Sequence, residues 1–330
     1  MKTEYKRIDA KECAERLLSI EDPLVVMHAR PDGDTVGSGV ALCLILEALG
    51  KRVCYACSHE IPKRLAFIVD GVRRAEESEL SSLSAVAVDV ASPAQLGDLR
   101  DKINPCLMID HHEVGEAFAD NYVIPGASSA AEVVYTVLEE LVKQGRLVIT
   151  KKIASALYTA ISSDTGGFMF SNTSPLTMRR AAALMELGID FADINHRLFH
   201  SKSPEQIKAE GFTASRVRTT DGGRIAYATI TLSDRDELGI SNEHFETAID
   251  VVRSVAGAEI AFIVKETERG VYKGSLRSTG ADVARVAAEF SGGGHVRAAG
   301  CTIEAGSIEE AAELLLKTIR RQTNDKNFED

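Results

Sequence analysis

The sequence predicts an α/β protein of two domains: an N-terminal one built on a parallel sheet with helices on both faces, and a smaller α/β C-terminal one. Three observations predict it. Over the first half of the chain, short apolar runs alternate with helix-like runs, the pattern of βαβ units whose strands are covered on both sides. Three of those apolar runs end in or next to His28, Asp89 and Asp110, at the carboxyl ends of strands, where open α/β sheets place their ligand crevice. After residue 188 the texture turns polar and helical, and strands return near Arg224; a chain of 330 residues suits two domains.

Taken in order, residues 1–20 are charged and helix-like, and "PLVVMH" (23–28) reads as a short buried strand. "VGSGVALCLILEALG" (36–50) is a helix stopped by Gly50, and "KRVCYAC" (51–57) is the next strand. "SAVAVDV" (84–90) and "CLMID" (106–110) are two more strands, with "PAQLGDLRDK" (93–102) as a helix between them. Residues 128–145 and 150–164 form two amphipathic helices. The polar stretch 190–217 reads as a connecting helical arm, so the expected layout is a domain over 1–188, a linker over 189–211 and a second domain over 212–330. In that second domain, strands are expected at 224–232, 258–266 and 270–278 and helices at 282–290 and 308–321, with a frayed tail over 322–330.

Bulk composition narrows the function. Hydrophobic residues make up 45% of the chain, enough for packed cores, while a net charge of -11 argues against coating long nucleic acid through the overall field. A short anion can still bind where local cations offset the carboxylates. No apolar run approaches the ~20 residues of a membrane helix, and no signal peptide is evident, so a soluble cytoplasmic protein with no membrane partner is expected. The six cysteines form no dense framework. Cys54 and Cys57 make a lone CxxC within a strand-like run, which reads as structural because a zinc site needs four ligands.

Four segments carry chemistry: "HARPDGDTVGS" with His28, Asp32 and Asp34, "AVDVAS" with Asp89, "IDHHEVG" with Asp110, His111 and His112, and "ISSDTGGF" with Asp164. Each has an ordinary explanation alone. Asp89 could cap a helix starting near Pro93, Asp164 could serve a turn before Gly166 and Gly167, and His111 could be a surface histidine. Together they supply His28, Asp32, Asp34, Asp89, His111 and Asp164 from separate elements of one α/β domain. Carboxylate and imidazole without thiolate suit Mn²⁺. Six ligands exceed the needs of one ion and point to two divalent ions sharing a carboxylate, a clamp suited to displacement at phosphorus.

"DHH" at 110–112 together with "HARPDGDTVGS" resembles the DHH phosphoesterase superfamily, and the likeness covers nearly the whole chain. "SGGGHVRAAG" (291–300) resembles the glycine-rich signature of the DHH-associated C-terminal domain. Length and layout look most like the bacterial oligoribonuclease (nano-RNase) and adenosine 3′,5′-bisphosphate phosphatase group and its cyclic-dinucleotide-processing relatives. The resemblance implies His28, Asp32 and Asp89 around one manganese and Asp34, Asp89, His111 and Asp164 around the other, with Asp89 as the bridge. It places His112 near the scissile phosphate, and Asp110 behind the histidines, where metal-bound imidazoles need an oriented outer N–H. The activity it implies is hydrolysis of short RNA or DNA oligonucleotides, linear or cyclic dinucleotides, or nucleoside bisphosphates; a homodimer would be in keeping with it.

The glycine-rich stretch has a physical reading of its own. Gly292, Gly293 and Gly294 would let backbone N–H groups approach a phosphate, with a helix starting behind them and His295 adding a donor. Arg277, at the end of a strand-like run, would grip phosphate with its guanidinium, with Ser275 and Arg297 as weaker candidates. Three rival functions share part of this pattern. A manganese pyrophosphatase would share the metal motifs but wants a Lys/Arg cluster around both phosphates, and GGGH is not its signature. A nucleotide-binding regulator without turnover would not need a full ligand set. A processive single-strand exonuclease wants a basic, aromatic groove, whereas this chain has no Trp, 5% aromatic residues and a charge of -11.

Overall fold

The computed structural model describes residues 5–324 and divides the chain into two units, one ending at Ser201 and the other beginning at Lys202. The first contains, in order, α1 (Ala10–Ser19), β1 (Pro23–Val26), α2 (Gly33–Ala48), β2 (Cys54–Ala56), α3 (Ala66–Val69), β3 (Ser84–Val88), β4 (Asn104–Asp110), β5 (Asp120–Val123), α4 (Ala130–Lys143), α5 (Lys151–Asp164), α6 (Pro175–Glu186) and α7 (Phe191–Asn195). A π-helical turn over His196–His200 follows α7.

Its sheet runs β2-β1-β3-β4-β5, parallel throughout. The strand order reverses between β1 and β3, which opens a crevice at their carboxyl ends. Side chains alternate between two cores: Val25, Met27, Val86, Val88, Leu107 and Ile109 pack with α1, α2, α4 and α5, while Leu24, Val26, Ala85, Ala87 and Met108 face the other side. That second side is covered by 3₁₀ segments over Glu77–Ser82 and Pro93–Leu99, through Leu80, Leu96 and Leu99. The helix expected over 93–102 is therefore corrected to a 3₁₀ segment; Gly97 sits at φ 57°, which no right-handed helix allows. β5 escaped the sequence reading because "DNYV" is four residues long and only half apolar.

α2 is apolar on every side, and every residue from Gly33 to Leu46 except Leu44 is buried. It begins at Gly33 rather than at 36, because Asp32 caps it by accepting from the N–H groups of Asp34 and Thr35 at 3.0 and 3.1 Å.

The second unit contains α8 (Pro204–Ser215), β6 (Arg218–Thr220), β7 (Ile225–Ile230), α9 (Leu232–Leu238), α10 (Ala248–Arg253), β8 (Ile260–Glu268), β9 (Val271–Ser278), α11 (Val283–Ala288), β10 (Gly293–His295), β11 (Ala298–Glu304) and α12 (Ile308–Asn324). Its sheet runs β10-β11-β9-β8-β7-β6 and is antiparallel except between β7 and β8. α11 and α12 cover one face, α8 and α10 the other. The polar stretch after 188 thus forms α7, the π turn and α8, the last belonging to this unit. The tail expected to fray is helical to Asn324, and 325–330 lie outside the described residues. Among the described residues no helix is long and apolar enough to cross a membrane.

Candidate metal centre

The four segments meet at the carboxyl edge of the parallel sheet. His28 lies two residues beyond β1, Asp89 one residue beyond β3, and Asp110 ends β4. Asp32 and Asp34 stand at the head of α2 and Asp164 at the foot of α5. The close approach of those two helix ends depends on Gly33, where a Cβ would lie 2.1 Å from Ser163 Oγ. Three sets of ligand atoms, each within 4.8 Å of one another, result: His28, Asp32 and Asp89; Asp34, His111 and Asp164; and Asp89, Asp110, His111 and His112.

Asp89 belongs to two of these sets, and His111 links it to the third. It takes φ 59°, a left-handed backbone that aspartate adopts more readily than most residues, and its side chain is buried. It caps no helix, since Ser92 occupies that position ahead of Pro93. Its Oδ2 lies 3.5 Å from His28 Nε2 and its Oδ1 3.6 Å from His111 Nε2. Oδ1 is buried with no hydrogen-bond partner.

The imidazoles are oriented by their outer nitrogens. His111 Nδ1 lies 3.1 Å from the Ala127 carbonyl, which can only accept, so Nδ1 carries the proton and the Nε2 lone pair faces Asp34 and Asp164 at 3.7 and 3.9 Å. Asp110, buried, accepts from His111 N at 2.8 Å and from His112 Nδ1 at 2.7 Å. Asp110 therefore orients His112 directly, whereas the His111 ring is steered by a backbone carbonyl. His28 Nε2 is 3.6 Å from Asp32. Asp34, buried, accepts from Ala130 N at 2.7 Å and Ala131 N at 3.2 Å, the first amides of α4.

The donors fit a divalent cation. Burial raises the Asp34 carboxyl well above the usual range, with Asp89, Asp164 and Asp32 adding repulsion. Asp164 is raised to about 7 by burial, against the pull of His111, and Asp89 and Asp32 push it the same way. For His28, burial disfavours the charged ring, yet contacts with Asp32 and Asp89 outweigh it and raise the value to about 10. Crowded carboxyls whose pKa values are pushed up, beside an orphaned carboxylate oxygen, are what a cation would relieve.

In the second unit, Arg277 lies in β9 opposite Ala298, which pairs in turn with His295 of β10. Arg277 is part-buried and donates to the Leu276 carbonyl at 2.9 Å; burial lowers its pKa. The helix expected behind the glycines is corrected to strand β11, whose alternating burial of Ala299, Cys301 and Ile303 is a strand period. Gly292 has a packing reason, since a Cβ there would meet the Gly300 carbonyl oxygen at 2.2 Å, whereas Gly293 borders open space. Two features of the metal centre had no expectation attached: the α4 amides that hold Asp34, and Asn172, whose side chain reaches both Ser128 and Asp164 backbone carbonyls. Neither residue type nor spacing signals a contact across 44 positions.

A carboxylate–imidazole nest at the switch point of a parallel sheet, followed by a mixed-sheet unit, suits a metal-dependent phosphoester hydrolase. The chain matches the DHH family N-terminal domain over residues 23–161 and the DHHA1 domain over residues 222–324, and it belongs to the DHH phosphoesterase family. It is 30% identical over 314 residues to the bifunctional oligoribonuclease and PAP phosphatase NrnA of Thermus thermophilus, covering 94% of this chain and 93% of that one. The protein of the same name from Bacillus subtilis is 27% identical over 305 residues, covering 91% and 95%. Among solved structures, an exopolyphosphatase-related protein from Bacteroides fragilis shares the fold with a TM-score of 0.84 at 22% identity, covering 94% of this chain and 96% of that one.

Proposed function

We propose that this protein uses two divalent cations, Mn²⁺ foremost, to hydrolyse phosphoester bonds in short oligonucleotides and dinucleotides and to remove phosphate from nucleoside 3′,5′-bisphosphates. The carrying observation is Asp89, whose two oxygens face His28 on one side and His111 on the other. His28, Asp32 and Asp89 would hold one cation and Asp34, Asp89, His111 and Asp164 the second. When bound, such a pair neutralises charge building on a phosphoryl group and acidifies a water at neutral pH. Mixed imidazole and carboxylate donors favour Mn²⁺ over Mg²⁺, which prefers oxygen.

The chain's own groups supply the rest. Asp110 accepts a hydrogen bond from His112 Nδ1 and so aims the ring, through which His112 would meet a phosphate or hand a proton to the leaving oxygen. Arg277, His295 and Gly292–Gly294 would hold the terminal phosphate or nucleotide. The substrate class is supported by two relatives whose names state oligoribonuclease and PAP phosphatase activity and which this chain matches over more than nine-tenths of their length.

The test is hydrolysis by the purified chain after chelation and after return of Mn²⁺, on a linear and a cyclic dinucleotide, adenosine 3′,5′-bisphosphate and pyrophosphate. Activity should vanish with chelation, return with Mn²⁺ and favour the nucleotides. Preference for pyrophosphate, or turnover that survives metal removal, would overturn the proposal.

A further inference from the structure

We infer that Asn172 is a positioning residue that assembles one of the two cation sites, that of Asp34, His111 and Asp164, and leaves the other largely untouched; the inference rests on the two-cation reading above. Asn172 lies in the loop between α5 and α6. Its Nδ2 donates one proton to the Ser128 carbonyl at 2.9 Å and the other to the Asp164 carbonyl at 3.1 Å. Both partners can only accept, so the amide orientation is fixed by them.

The two carbonyls belong to the two pieces that present this ligand set. Asp164 is itself a member. Ser128 sits in the turn that leads into α4, and that turn with the first residues of α4 holds both other members: the Ala127 carbonyl accepts from His111 Nδ1 at 3.1 Å, and Ala130 N and Ala131 N donate to the Asp34 carboxylate at 2.7 and 3.2 Å. One amide therefore links the turn that aims His111 and Asp34 to the helix end that carries Asp164. None of these bonds reaches His28 or Asp32, which are held instead by β1 and the head of α2.

Packing alone does not ask for this residue. Asn172 Oδ1 is buried with no hydrogen-bond partner, a position an apolar side chain would fill without an orphaned acceptor. What the amide supplies is its pair of donors. Groups that orient ligands from behind typically cost ten- to hundredfold in metal affinity when removed.

Calorimetric titration with Mn²⁺, paired with electron paramagnetic resonance, reads this without turnover. Wild type should take two ions, the second bringing a spin-coupled signal. Asn172→Ala should keep one ion near wild-type affinity and bind the other about ten- to a hundredfold more weakly, so that one equivalent gives an isolated Mn²⁺ spectrum. Should alanine unfold the chain, Asn172→Asp, which fills the same space and offers no donor, carries the same expectation. Thr173→Val, which removes a neighbouring hydroxyl that has no partner, should bind both ions as wild type does. The inference is overturned if the Asn172 variants bind both ions normally or lose both equally, or if Thr173→Val weakens the same ion. If wild type itself takes fewer than two ions, the two-cation reading has failed instead.

Discussion

Asp89 occupies a backbone conformation that most residues avoid, and that fact decides how its role should be probed. Alanine at φ 59° would add backbone strain to the loss of the carboxylate, so its effect would mix two causes. Asparagine tolerates positive φ at least as well as aspartate and keeps the volume, so Asp89→Asn isolates the charge. We expect turnover to fall by at least about a hundredfold, a few kcal/mol of transition-state stabilisation, with Mn²⁺ content reduced and the fold intact. Steady-state rates and metal counts on the folded variant check this; wild-type rates would remove Asp89 from the bridge. The residues around it differ in how legible they are. His28, Asp89 and Asp110 can be found because a polar group at the end of an apolar run is conspicuous. Gly33 and Asn172 cannot, since each matters through a neighbour that only the folded chain supplies, Ser163 for the first and the Ser128 turn for the second.

At the scale of elements, the edge strand β5 shows how a short polar segment is kept in a sheet. Asp120 accepts from Lys6 N at 2.7 Å and pairs with Arg16 at 2.7 Å, tying the chain ahead of α1 and α1 itself to the strand. The Lys6 amide holds the carboxyl below its ordinary range, with Arg16 helping against the opposing effect of burial. A depressed folded value means the contribution is complete above the unfolded pKa, about 3.9, and disappears as pH falls through the folded one. Asp120→Asn should thus cost about 1 kcal/mol at neutral pH, a figure already reduced for partial exposure, and the gap to wild type should close in acid. Denaturant melts at several pH values measure it; a gap that widened in acid would show the linkage has the wrong sign. The same strand marks where sequence patterning runs out. Strands buried on both faces, such as β1, β3 and β4, declare themselves as apolar runs, whereas β5 is held by its partners. For β10 the sequence likewise predicts a phosphate loop ahead of a helix, because glycines carry no periodicity to distinguish a hairpin from a turn.

For the molecule as a whole, charge should set the substrate range. A chain with a formal net charge of -11 gives a long nucleic acid little counterion-release benefit, so affinity should come from contacts at a few phosphates. Under matched salt, efficiency should peak on strands of two to about five nucleotides and decline toward about twenty-four. Equal efficiency across the series would mean that a long binding track exists. A different consequence follows from α2, which is walled in from Gly33 to Leu46. Amides in so enclosed a helix should exchange with solvent only when the surrounding unit opens, at a cost near that of global unfolding. Asp32 and Asp34 are mounted on the end of that enclosed element, Asp34 by burial and Asp32 by its cap bonds, so the cations would meet two donors already placed at folding. Little conformational entropy then remains to be lost on binding, and capture of the ions becomes a matter of dehydrating them and displacing protons from the crowded carboxyls rather than of organising the protein around them.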